Sequence, residues 1–200
     1  MRLSKIISGI LHPIFMPIIA VYLSVTLTPN ISFTITNYLP FIYIILCFST
    51  IVMPLIGVLF LIKTKLVTNL EMNNHKERSL PLLITAIWMI FGYYKLAEIL
   101  FMAPILNAII LFAIITVIIA SIISNYWKIS LHMMALGGLF GVIFSLSFLF
   151  GNLFWVLIMT LLFAGILGCS RLNERAHNNT QIYVGFLMGF FIEAAGILLF

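Results

Sequence analysis

Long apolar runs alternate with short polar stretches along this chain. The runs extend from about Ile6 to Leu27, Pro40 to Ile62, Pro81 to Met102, Pro104 to Ser124, Ser130 to Phe150, from the Gly151-Asn152 turn to Cys169, and from Gln181 to Phe200. At about 1.5 Å of rise per residue, roughly twenty residues cross a hydrocarbon core about 30 Å thick. The pattern predicts an all-α polytopic transmembrane bundle of about seven spans. His12, Pro13 and Pro17 interrupt the first run, which is long for a signal-peptide core and lacks a small-x-small cleavage site, so it reads as a retained span. The Thr- and Asn-rich, uncharged stretch from Ile31 to Tyr38 reads as a loop, Pro40 as a first-turn residue and Pro54 as a kink. Gly137 with Gly141, and Gly185 with Gly189, stand four apart, the spacing that lets membrane helices approach closely.

Composition agrees with this reading. Of 200 residues, 64% are hydrophobic and 8% charged, against about 25% charged in soluble domains. No linker, repeat or low-complexity tract divides residues 1–200, which form one integral membrane domain. Cys47 and Cys169 lie in or at the end of apolar runs without ligand spacing and read as packing residues. The net charge of +5 is scattered over loops and makes no basic stripe for nucleic acid.

Charge changes the picture once crossings are counted. With seven spans, the N-terminus, the Lys63 to Leu80 loop, the Tyr126 to Ser130 turn and the Ser170 to Gln181 segment fall on one side. That face collects His12, His75, His132 and His177, together with Arg2, Lys5, Lys63, Lys65, Lys76, Arg78, Lys128, Arg171 and Arg175, leaving only Lys95 of the ten basic residues elsewhere. The positive-inside rule puts this face and the N-terminus in the cytoplasm, with Phe200 outside, and a bacterial inner membrane is the expected location. The rule explains the basic residues; it does not explain the histidines.

The densest polar island is Ser170-Arg171-Leu172-Asn173-Glu174-Arg175-Ala176-His177-Asn178-Asn179-Thr180-Gln181. Ionisable groups beside a bilayer mark functional sites, and guanidiniums with an imidazole suit an anion that is held and attacked. The island reads Ser-Arg, five residues, His, three residues, Gln. Upstream lie Ser130-Leu131-His132 and, before them, Arg78 and Pro81. This order resembles the membrane branch of the type 2 phosphatidic acid phosphatase (PAP2) superfamily, whose motifs are Lys-x6-Arg-Pro, Pro-Ser-Gly-His and Ser-Arg-x5-His-x3-Asp. The resemblance covers about Glu71 to Gly189, and a six-helix core of that family's kind is compatible with it.

The resemblance implies a lipid-phosphate or lipid-diphosphate phosphatase that works through a phosphohistidine. By position, His177 would be the nucleophile, His132 the general acid, and Arg171, Arg78 and Ser130 the phosphate clamp, with Lys76 counted beside them; no metal or cofactor is implied. The implied partners are a membrane lipid phosphate and the bilayer itself. Gln181 stands where the family has the Asp that orients the nucleophile, Leu131 where it has Gly, Ile129 where it has Pro, and Glu71 where it has Lys. An amide fixes a tautomer but does not stabilise an imidazolium as a carboxylate does. Glu174, three residues before His177, is the candidate replacement if the segment is helical.

The alternative is a non-catalytic relative that binds a lipid phosphate or has a structural role. A weaker one is a metal site using Glu71 and His75 at an i, i+4 spacing. Within the spans, Glu193 and Lys95 lie at matching depths, and an interhelical ion pair is expected between them.

Overall fold

The structure is a computed structural model and describes residues 2–70, 72 and 74–200. Among the described residues there is no strand. The helices are α1 (Arg2–Ile10), α2 (Met16–Leu27), α3 (Pro29–Ile35), α4 (Leu39–Cys47), α5 (Met53–Lys63), α6 (Ser79–Phe101), α7 (Pro104–Ser124), α8 (Leu131–Phe150), α9 (Phe154–Asn173) and α10 (Asn179–Leu199). Among the described residues, seven helical stretches are long and apolar enough to cross a membrane: Leu3–Leu27, Pro29–Lys63, His75–Phe101, Pro104–Ser124, Leu131–Phe150, Phe154–Asn173 and Asn179–Leu199. The protein is an all-α integral membrane bundle. Its outer surface carries Ile87, Phe91, Trp155, Leu161 and Phe163 exposed, a surface that suits lipid and not water.

Two spans depart from the expected form. The first is broken at His12, where a 3-10 turn over Pro13–Phe15 separates α1 from α2. Pro13 supplies no backbone donor there, and His12 Nδ1 accepts the Ile14 N–H. The chain changes partners at this break: α1 packs along α9, α2 along α8. The second departure is the stretch from Ile31 to Tyr38, expected as a loop. It is helical, α3 followed by a 3-10 turn over Thr36–Tyr38. Pro29 opens α3 and Ile31 and Ile35 are buried, so apolar contact holds a turn that polar composition alone would leave open. The kink expected at Pro54 is a π-helical turn over Phe48–Val52, just before the proline. The wider turn takes up the hydrogen bond that the proline ring displaces.

The centre of the bundle is the pair α8 and α10, its most extensive helix contact. They run parallel: Gly185 lies against Ser130 and Met133, Gly189 against Met134 and Gly138, and Gly141 against Phe190 and Ala194. A Cβ added at Gly137 would collide with the carbonyl of Phe186, and one at Gly189 with that of Met134. Backbones this close leave no room for any side chain, which is what both glycine pairs are for. The result fixes the two helices that carry His132 and Gln181 in register.

Successive crossings alternate in direction, so His12 and the segments 64–70, 74–78, 125–130 and 174–178 gather at one end. Contacts between them agree: His75 Nδ1 donates to Ser124 O at 2.7 Å, and Ser130 N donates to Gln181 O at 3.3 Å.

Candidate functional site

The polar island folds as two helix ends joined by a minimal turn. At the end of α9, Ala176 N donates to Arg171 O and Arg175 N to Leu172 O, the paired bonds of a Schellman motif. Arg175 occupies its left-handed position with φ 53°, a place usually taken by glycine. Three residues later Asn178 caps α10: its side chain accepts from Gln181 N, and the Gln181 side chain accepts from Asn178 N, a complete capping box. His177 sits between the two caps, so its backbone is held on both sides.

Its ring is held as well. His177 Nδ1 lies 3.0 Å from Gln181 Oε1, and Asn178 N donates to that same atom at 3.2 Å. Two donors on one atom make it the amide oxygen, so Nδ1 carries a proton and Nε2 keeps its lone pair. His177 is 8% exposed. Burial is the largest influence on its pKa, which falls to about 4; the charges of Arg171, Arg78 and Lys128 lower it further, while the Gln181 bond works the other way. His177 is therefore neutral at ordinary pH, the form a nucleophile requires.

His177 opens into a cavity of about 440 Å³ whose walls include His12, Arg78, His132 and Arg171. Arg78 is buried, and its Nε donates to Met72 O at 2.9 Å. Arg171 Nη1 pairs with Glu174 Oε2 at 2.7 Å. His132 Nε2 donates to Ser8 O at 3.1 Å, while Ser8 Oγ donates to Glu174 Oε1 at 2.9 Å. One residue of α1 thus ties the loop after α9 to the start of α8. Two buried donors at this end, Ser130 Oγ and Arg171 Nε, have no partner among the described residues. Unpaired buried donors are costly, and an anion in the cavity would satisfy Arg171 Nε, whose residue lines it.

Five of the seven residues expected at the site belong to this assembly directly: His177, His132, Arg78 and Arg171 line the cavity, and Gln181 holds the first of them. Ser130 is fully buried at the start of α8 with its hydroxyl unpaired, and it is not among the lining residues. Lys76 is exposed on the adjacent 3-10 turn and is likewise absent from the walls. Glu174 does not serve His177. The helix ends at Asn173, and its carboxylate is taken up by Arg171 and Ser8. The metal reading does not gain support: Glu71 lies outside the described residues, His75 bonds to Ser124 O, and no group of three or more His, Cys, Asp or Glu able to hold a metal occurs among the described residues.

Sequence reasoning placed His12 on this face without giving it a role. In the structure its ring stands edge-on to His132 with centroids 5.1 Å apart. The signal was the His-Pro pair interrupting an apolar run. Lys128 is the other addition: burial lowers its pKa, as do the charges of Arg78 and Arg171, so it belongs to the same positive field. The ion pair expected between Lys95 and Glu193 is absent. Lys95 Nζ lies over the Phe91 ring at 5.4 Å on the exposed side of α6, and Glu193 is buried with Oε2 unpaired.

Comparison with known proteins returns no match among family models, curated sequences or solved structures.

Proposed function

We propose that this protein is a membrane phosphatase acting on a lipid phosphate or diphosphate through a phosphohistidine intermediate. The observation that carries the reading is a neutral, oriented His177 whose Nε2 is unprotonated, in one cavity with the guanidiniums of Arg78 and Arg171. In this reading the arginines hold the non-bridging oxygens, where negative charge concentrates as phosphorus is transferred. Nε2 of His177 forms a bond to phosphorus as the bond to the lipid oxygen breaks. The leaving oxygen takes a proton from His132. The Nε2–H of His132 is held by Ser8 O, so the proton is one that Nδ1 takes from the bound phosphate monoanion and passes on to the leaving oxygen. Water then attacks the phosphohistidine, its proton passing by way of His132 Nδ1 to the phosphate oxygens, and inorganic phosphate leaves.

The face is assigned to the cytoplasm on the basic residues around it, and the membrane to a bacterial inner membrane. The apolar walls of the cavity, among them Ile14, Leu55, Val58 and Leu82, suit the hydrocarbon chain of such a substrate.

A specific observation supports a second reading, a binder of lipid phosphates without turnover. Gln181 gives His177 an amide where a carboxylate would stabilise the developing positive charge. One experiment separates the two: phosphate release from lipid phosphates by the purified protein, run beside His177→Ala and Arg171→Leu. Release by the parent that is lost in both variants supports the enzyme. Binding without release, lost in Arg171→Leu, supports the binder.

A further inference from the structure

Glu193 lies inside the bundle, 4% exposed. It faces α8 where side chains are missing: a Cβ at Gly138 would stand 3.2 Å from Glu193 Cγ, and one at Gly141 would stand 3.1 Å from its Cβ. That level of α8 is six to nine residues beyond His132, about 9–14 Å deeper at 1.5 Å per residue. Glu193 Oε2 and Thr116 Oγ1 of α7 are both buried without a hydrogen-bond partner. Both residues line one chamber of about 100 Å³. Unpaired polar atoms at this depth are a standing cost to the fold, and carboxyls in such positions face sites that use them.

The chamber adjoins the polar cavity. The two share Pro13, Pro17, Thr50, Leu82, Val117 and Leu131 in their walls. Its remaining lining is mostly apolar, with Leu46, Ala113 and Val142 among it. A hydrocarbon chain whose phosphate sits between Arg78 and Arg171 would have to pass between these shared walls to reach Glu193 and Thr116 partway along its length.

We propose that the deep chamber is the second half of one elongated ligand site, where Glu193 and Thr116 hydrogen-bond a hydroxyl on the chain of a lipid phosphate, at a level about 9–14 Å deeper along α8 than His132. The inference rests on the reading of the polar cavity as a phosphate site. A carboxyl and a hydroxyl can each give and accept a hydrogen bond, so one ligand hydroxyl answers both. An unsubstituted chain would leave them unpaired, and a site built in this way discriminates against the analogue that lacks the group.

The test compares binding of decyl phosphate and ω-hydroxydecyl phosphate to the purified full-length protein, with Glu193→Leu and the near-isosteric Thr116→Val. The expected result is about tenfold tighter binding of the hydroxylated ligand by the parent, with the ratio of affinities falling toward one in each variant. Equal affinities in the parent would overturn the proposal and leave the chamber to water. A preference that survives in Thr116→Val and Glu193→Leu would overturn it too. A sodium-dependent gain in stability without lipid, lost in Glu193→Gln, would assign the chamber to a cation instead. If the parent bound neither phosphate, the phosphate reading itself would fail, a result distinct from binding both equally.

Discussion

Gln181 Oε1 accepts the Nδ1 proton of His177 at 3.0 Å, so an amide orients the ring without bringing a charge to it. A carboxylate of the same length would keep the bond and stabilise the positive charge that develops on attack. Gln181→Glu is expected to raise phosphate release about tenfold, or 1.4 kcal/mol of barrier. Gln181→Asp, one methylene shorter, should gain less because the bond stretches. Parallel assays of the three proteins check this, and a folded but inactive Gln181→Glu would give the amide a role of its own.

The pKa of His177 sets an acid limit. It is lowered from 6.5 to about 4, chiefly by burial. The attacking form is neutral, so the rate is expected to hold as pH falls through 6.5 and to decline only near 4. Stability follows the same sign. The unfolded chain binds this proton more readily, so the contribution is complete above about 6.5 and is lost as pH falls toward 4. Arg171→Gln removes a positive neighbour and should move the His177 titration upward. Ring-nitrogen NMR of labelled histidine measures it directly, and a value at or above 6.5 in the parent would contradict the burial seen here.

Arg175 holds a left-handed conformation, φ 53°, at the end of α9. An L side chain there costs about 1 kcal/mol relative to glycine. Arg175→Gly is expected to raise the thermal midpoint in detergent by a few degrees. A lower midpoint would mean that the side chain contributes more than its backbone costs.

The helix contact at the centre of the bundle predicts a sharp contrast between two glycines. A methyl at Gly189 would collide with the carbonyl of Met134, whereas one at Gly165, on the exposed side of α9, meets nothing within 4 Å. Gly189→Ala is expected to destabilise by about 1–3 kcal/mol, through forced separation of α8 and α10. Gly165→Ala should be neutral or stabilising by about 0.5–1 kcal/mol, from helix propensity alone. Thermal unfolding of both proteins in one detergent decides it.

The sequence by itself determined the crossings and the end of the bundle at which chemistry collects. Apolar runs of the length of a bilayer have one solution, a helix that satisfies its own backbone, and counting them placed His12, Arg78, His132, Arg171 and His177 on one face. Spacing within the island gave the bond between His177 and Gln181, because residues four apart at a helix start meet locally. Tertiary structure decided whatever depends on which helix lies beside which. Glu174 was free to serve His177 until the Schellman turn at Arg175 ended α9 and left it to Arg171 and Ser8. Lys95 and Glu193 matched in depth, but depth fixes height along a helix and not its facing: one side chain lies over Phe91 on the exposed surface, the other against Gly138 in the core. The uncharged stretch from Ile31 to Tyr38 carried loop composition and became helical because Ile31 and Ile35 found a place in the buried apolar cluster, packing that composition alone does not encode.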